Sequence, residues 1–121
     1  MTTLTEGRHA AEFVLSEAMG NRSRDNATIV ATQTILAGSV LGRITANGNY
    51  GTLVPGGTGG GEIGSGIALY PITTGATVDK VSIIARDAEV NGKLLVWPAG
   101  ITAPQQATAI ADLAKLGIIV R

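Results

Sequence analysis

The sequence predicts a mainly β protein, a small β-rich α+β fold, built as one compact domain with one C-terminal helix and a flexible N-terminal arm. Runs of β-branched residues recur between turn dipeptides from residue 28 onwards, which is typical of short antiparallel strands. A single stretch near the C-terminus has both a helix start signal and a helix stop signal. The first 27 residues lack the β pattern, and the length of 121 residues suits one domain.

Residues 1–27 are predicted to form the arm. Threonines begin it, and the polar run at residues 21–26 ends it. Between them lie Glu12, Phe13, Val14 and Leu15, which include the only phenylalanine of the chain. This apolar stretch is too short for a stable isolated helix. It can dock on its own domain or on a partner, and the residue pattern alone leaves both open.

Residues 28–121 are predicted to form the β-rich domain. Asn47-Gly48 separates two β-branched runs, and this dipeptide favours the positive φ angles of a tight hairpin turn. Residues 55–66 are rich in glycine and are predicted to be a mobile surface loop. Further strand-like runs lie at residues 28–32, 40–45, 50–54, 67–70, 81–86 and 93–97.

The C-terminal segment is predicted to be a helix over about residues 104–116 followed by a strand over about 118–121. Thr102 is suited to the N-cap, and Gln105 stands where a capping box needs it. Gly117 suits the position that closes a helix. A terminal apolar strand must pair with a neighbour, because an unpaired apolar edge invites aggregation.

Composition argues against several classes of protein. Nine basic and nine acidic residues give no net charge, so the basic excess of a nucleic-acid-binding protein is missing. The chain has no cysteine and no apolar run long enough for a membrane helix. Only 3% of the residues are aromatic, so the core must be built from smaller aliphatic side chains. Such a domain gains stability from assembly, which buries more apolar surface.

Three patterns that could carry chemistry are weak. Gly59-x-Gly61-x-x-Gly64 matches a dinucleotide fingerprint, but the residues after it indicate a strand where that motif needs a helix. His9 is the only histidine, so a catalytic triad or a histidine metal site lacks partners. Asp87 and Glu89 flank a predicted turn, where carboxylates commonly bond backbone amides. We therefore expect no enzyme activity, no cofactor and no metal.

Three stretches together resemble the head decoration protein family of lambda-like tailed phages, the cement proteins of the capsid exterior. They are residues 7–26 (GRHAAEFVLSEAMGNRSRDN), 86–98 (RDAEVNGKLLVWP) and 113–121 (LAKLGIIVR). The resemblance implies a homotrimer that sits on the three-fold and quasi-three-fold positions of the expanded head. It also implies the major capsid protein as the partner, with no nucleic acid, membrane or small-molecule substrate.

The resemblance assigns roles to particular residues. The arm, with Glu12, Phe13, Val14 and Leu15, is expected to order on the capsid by adding to capsid-protein sheets. Separately from the resemblance, we expect Trp97, Pro98, Ile118 and Ile119 to lie near the trimer contact. The protein is expected in the virion, on the outer capsid surface, after synthesis in the cytoplasm of the host bacterium. The alternative from another class is a small β-rich ligand- or carbohydrate-binding module.

Overall fold

The structure is a computed structural model that describes residues 10–20, 22–75 and 79–121. The strands are β1 (Val14–Glu17), β2 (Arg24–Ile29), β3 (Thr34–Ile35), β4 (Val40–Arg43), β5 (Tyr50–Thr52), β6 (Gly64–Ala68), β7 (Ile72–Thr73), β8 (Asp79–Ile84), β9 (Ala88–Val90) and β10 (Ile118–Val120). The helix α1 spans Ala103–Lys115, and a short 3-10 helix spans Gly92–Leu94. The predicted fold class, mainly β with one C-terminal helix, is confirmed.

The centre of the fold is a closed barrel with the strand order β2-β5-β4-β6-β8. Neighbouring strands pair antiparallel except β2 and β5, which are parallel at the pair Ile29 and Tyr50. Beside the barrel lies a three-stranded sheet with the order β1-β9-β10, and β3 and β7 form a two-stranded ribbon. Asn47 and Gly48 lie in the turn between β4 and β5, where Gly48 has a φ of 74°.

The helix α1 is fixed at its start by the capping box that the sequence predicts. The Gln105 amide donates to the Thr102 hydroxyl at 3.3 Å, and the Thr102 amide donates to the Gln105 side chain at 3.0 Å. The helix begins and ends one residue earlier than the predicted 104–116. Gly117 follows with a φ of 83°, a conformation that favours glycine, and the chain turns there into β10.

Two clusters of buried residues form the core. The first joins the three-stranded sheet and α1 to the barrel, and it contains Phe13, Val40, Leu53, Ile67, Leu69, Ile84, Ala88, Val90, Leu95, Ala109, Leu113 and Ile118. The second lies among barrel strands and the β3–β7 ribbon, and it contains Ala27, Ile29, Ile35, Leu41, Ala68, Ile72, Ile83 and Ala85. Aliphatic side chains dominate both, and Phe13 is the only aromatic side chain among these buried residues.

The structure assigns residues 10–20 and 22–27 of the predicted arm to the folded domain. Phe13 is fully buried in the first core cluster, β1 pairs with β9, and β2 pairs with β8 along six positions. Of the two alternatives for the apolar stretch, Phe13 therefore docks on its own domain. The reason is physical, because its ring fills the space between the sheet and the barrel. Residues 1–9 of the predicted flexible arm lie outside the described residues.

The glycine-rich loop predicted to be mobile is packed closely against β4. Thr45 donates its amide to the Gly59 carbonyl at 2.9 Å, and Val54 donates to the Gly61 carbonyl at 2.9 Å. A Cβ atom added to Gly42 of β4 would lie 2.6 Å from the carbonyl carbon of Gly61. Two glycines thus let two backbones approach where no side chain fits, so much of the loop belongs to the fold.

We expect Phe13→Ala to lower the free energy of unfolding by about 3–5 kcal/mol, because it opens a cavity at the junction of sheet, helix and barrel. Chemical denaturation of the purified variant measures this loss. The neighbouring Leu15, which is 55% exposed, is the matched control, and Leu15→Ala should change stability by less than about 0.5 kcal/mol. Equal stability of the two variants would contradict the placement of Phe13.

We expect Gly42→Ala to lower the free energy of unfolding by about 1–3 kcal/mol, because the new methyl group overlaps the Gly61 backbone. Thermal or denaturant unfolding measures the effect. Gly75→Ala is the control, since a Cβ atom at Gly75 meets no atom within 4 Å in the described part of the chain. Unchanged stability of Gly42→Ala would mean that the loop does not pack on β4.

Candidate binding surfaces

The three-stranded sheet presents one face to the core and one face outwards. Val14 is opposite Val90, and Val120 is opposite Val90 on the other side, so these side chains share the inner face. Ser16 and Ile119 both lie opposite Glu89 and share the outer face with it. The strands β1 and β10 are the two edges of this sheet, and they come from opposite ends of the described chain.

Glu89 ties the three strands of this sheet together on its outer face. The Ser16 hydroxyl of β1 donates to Glu89 Oε1 at 3.1 Å, and Arg121 Nε donates to Glu89 Oε2 at 2.7 Å. The hydrogen bond from the Arg121 guanidinium, followed by that from Ser16, lowers the pKa of Glu89. The carboxylate is therefore held in its charged form as a structural group.

A second carboxylate clasp joins β1 to the start of β2. Glu17 accepts bonds from Arg24 Nη2 at 2.7 Å and Arg24 Nε at 3.1 Å, and from the Ser23 hydroxyl at 2.7 Å. Such a bidentate guanidinium–carboxylate pair has fixed geometry. The Arg24 hydrogen bond, then the Ser23 hydrogen bond, lowers the pKa of Glu17. The bond to Glu17 in turn raises the pKa of Arg24.

The residues proposed from the sequence for the capsid-binding arm differ in burial. Glu12 and Leu15 are exposed, Val14 is half-buried, and Phe13 is fully buried. Phe13 is therefore unavailable to a partner while the domain is folded. Leu15 keeps an exposed apolar side chain on the edge strand β1, which no sequence pattern distinguished from its neighbours.

The residues proposed for the trimer contact also differ in burial. Ile118 is fully buried in the first core cluster, whereas Ile119 is 38% exposed on the outer face of the sheet. Trp97 and Pro98 are half-buried, and Trp97 packs against the same cluster as Ile118. The adjoining Val96 bridges to Ser39, the residue just before β4. Ile119 has the most accessible side chain of these four residues.

A groove that sequence patterns could not reveal crosses from α1 to the barrel. Its volume is about 410 Å³, and its walls come from β2, β4, β5, β6, the chain after β8 and the end of α1. A second groove of similar size continues it towards the β4–β5 turn and shares Arg43, Ile63 and Ser65 with it. Elements far apart in sequence meet here, so no local motif predicts the site.

The charges of the groove are unequally paired. Arg86 forms an ion pair with Asp25, and Lys115 lies 3.6 Å from Asp112. Arg43 lies over the ring of Tyr50, with 5.6 Å from its guanidinium carbon to the ring centre, and Nε donates to the Gly48 carbonyl at 3.3 Å. Among the described residues, no carboxylate forms an ion pair with Arg43.

The patterns considered for chemistry have structural roles here. Gly64 begins the strand β6, so no helix N-terminus follows the glycine motif. Asp87 pairs with Arg22 at 3.6 Å while Glu89 pairs with Arg121, so each carboxylate has its own cation. His9 lies outside the described residues. Within residues 10–20, 22–75 and 79–121, no three metal-binding side chains cluster, and no helix is long and apolar enough to cross a membrane.

Glu17→Gln should reduce the acid sensitivity of the fold. A lowered pKa in the folded state means that the stabilisation is present above about the ordinary value of 4.5 and is lost as the pH falls through the lowered value. At pH 7 the variant should lose about 1 kcal/mol or less, because both side chains are partly screened by solvent. Unfolding free energies of the wild type and variant between pH 7 and pH 3 should then converge towards acid.

Arg24→Gln removes the other half of the clasp and should flatten the pH profile in the same way. A Glu17→Gln variant whose stability runs parallel to the wild type down to pH 3 would show that the clasp contributes nothing.

The comparisons with known proteins agree with the resemblance drawn from the three sequence stretches. No match was found among curated proteins. The family model described as bacteriophage lambda head decoration protein D matches residues 3–118 of the 121. Its match includes β1, the barrel, α1 and the first residue of β10, which is nearly the whole fold. The chain therefore belongs to the bacteriophage lambda head decoration protein family.

Proposed function

We propose that this chain is a cement protein that binds the outer surface of the expanded head as homotrimers and stabilises the lattice of the major capsid protein. Family membership makes it a phage head decoration protein, a component of the virion that binds the capsid. The match over residues 3–118 is the observation that carries the proposal. The trimers would occupy the three-fold and quasi-three-fold positions after synthesis in the bacterial host cytoplasm.

The part of the chain that would grip the capsid is narrower than the sequence indicated. Phe13 anchors β1 in the core. We therefore place the contact with the capsid on the residues that precede Ala10 and on the exposed Leu15 of the edge strand β1. An edge strand can extend its sheet by pairing with a strand of a partner. Docking at this edge would add main-chain hydrogen bonds and bury the Leu15 side chain.

Trimerisation would strengthen this grip. Ordering a segment on binding costs about 1–2 kcal/mol of backbone entropy per residue, so a single segment binds weakly. Three segments held on one trimer bind together, and the avidity can exceed the single affinity by a factor of about 10²–10⁴. A function of this kind needs surfaces and no reacting groups, so we propose that the protein is not an enzyme.

The carbohydrate-binding alternative loses support at the groove. Sugar sites commonly present an open aromatic face, and Tyr50 is the aromatic side chain that lines this groove. Its ring is occupied by the guanidinium of Arg43.

Deleting residues 1–9 should leave a folded trimer that binds expanded heads at least about a hundredfold more weakly. The deletion stops before Ala10, so Phe13 and β1 stay in place. Co-sedimentation with expanded heads measures binding, and light scattering of the free protein measures the trimer. Decoration at wild-type affinity by the truncated protein would overturn the role of this segment, and a monomeric wild type would overturn the trimer.

A further inference from the structure

The groove between α1 and the barrel offers one exposed cation to a partner. Arg43 is exposed and, among the described residues, forms no ion pair with a carboxylate. Asp112 is not available in this way, because it is paired with Lys115 at 3.6 Å and its own side chain is only 13% exposed. Ile63 and Leu116 add apolar side chains that are 48% and 39% exposed. The groove therefore suits an apolar side chain with an acidic side chain beside it.

The three-stranded sheet carries a complementary anion and an exposed apolar side chain. Glu12 is exposed, and no ion pair involves it within the described part of the chain. It lies just before β1, where the Asn91 amide donates to the Phe13 carbonyl at 2.7 Å. Ile119 is exposed on the outer face of the same sheet.

We propose that the groove of one subunit receives this sheet surface of a second copy of the chain. Glu12 of one subunit would meet Arg43 of the next, and Ile119 would pack against Ile63 and Leu116. The inference rests on the proposed trimer and assigns its contacts. Glu12, expected from the sequence to contact the capsid, is here assigned to the trimer contact. Ile119 remains assigned to the trimer contact.

The two surfaces adjoin each other on the subunit, as a closed three-fold ring requires. A contact between two different surfaces of identical subunits propagates head to tail, and it closes into a ring when the rotation per subunit is right. Around a three-fold axis, the two contacting faces of each subunit meet beside the axis. Here they adjoin at Leu116 and Ile119, which are only three positions apart at the turn from α1 into β10. This turn would lie nearest the axis.

Charge reversal of full-length protein tests the assignment. Arg43→Glu and Glu12→Arg should each raise the concentration at which trimers half-dissociate by about tenfold or more, because like charges then face each other at all three contacts. The double variant, with both reversals, should restore assembly towards the wild type. Lys80→Glu is the matched control, since Lys80 is an exposed cation of β8 outside both surfaces, and its trimers should match the wild type.

Light scattering over a dilution series gives the assembly state, and circular dichroism verifies that each variant folds. Wild-type trimers together with full assembly of both single variants would overturn this inference and leave the proposed function intact. Single variants that dissociate without rescue in the double variant would also overturn the pairing. Trimers of Arg43→Glu that no longer bind expanded heads would show that the groove receives the capsid protein instead.

Discussion

The packing of Phe13 between the three-stranded sheet and the barrel is the contact on which the surrounding structure depends. The ring is fully buried, and it shares a cluster with Val90 of β9, Leu113 of α1 and Ile67 of β6. It therefore holds β1 in the sheet while the same cluster holds the helix on the barrel. Only 3% of the residues are aromatic, and an aromatic ring buries more area than the aliphatic side chains around it.

The turn between β4 and β5 and the C-terminal helix were predictable from the sequence for local reasons, whereas the strand-like run at residues 93–97 begins inside the 3-10 helix Gly92–Leu94. The Asn47-Gly48 turn, the Thr102–Gln105 capping box and Gly117 each act within a few residues, so their patterns can be read directly. The arm was harder to delimit because β1 carries exposed and half-buried residues without alternation, and a bulge interrupts its pairing with β9. Its partner strand lies more than 70 positions away, beyond the reach of any local pattern.

The candidate binding surfaces were also only partly predictable from the sequence. The sequence could indicate an apolar stretch, but not which of its side chains are buried in the folded domain. Burial removes Phe13 and Ile118 from any partner and leaves Leu15 and Ile119 on the surface. The groove near Arg43 is formed by six separate segments. That Arg43 has no carboxylate partner among the described residues can be recognised only when the ion pairs of its neighbours are known. Composition predicted that assembly would stabilise this protein, and the exposed apolar residues at the sheet and the groove are where we propose that it occurs.

The pairing of β1 with β9 also affects the order in which the protein folds. The bond between Ser16 and Glu89 closes a separation of 73 positions, and β10 joins the other side of β9 from the far end of the chain. Closing so long a loop costs entropy before any contact repays it, and topologies with distant pairings fold slowly. The outer face of this sheet should therefore be among the last surfaces to form, so that subunits would recognise one another only once each had finished folding.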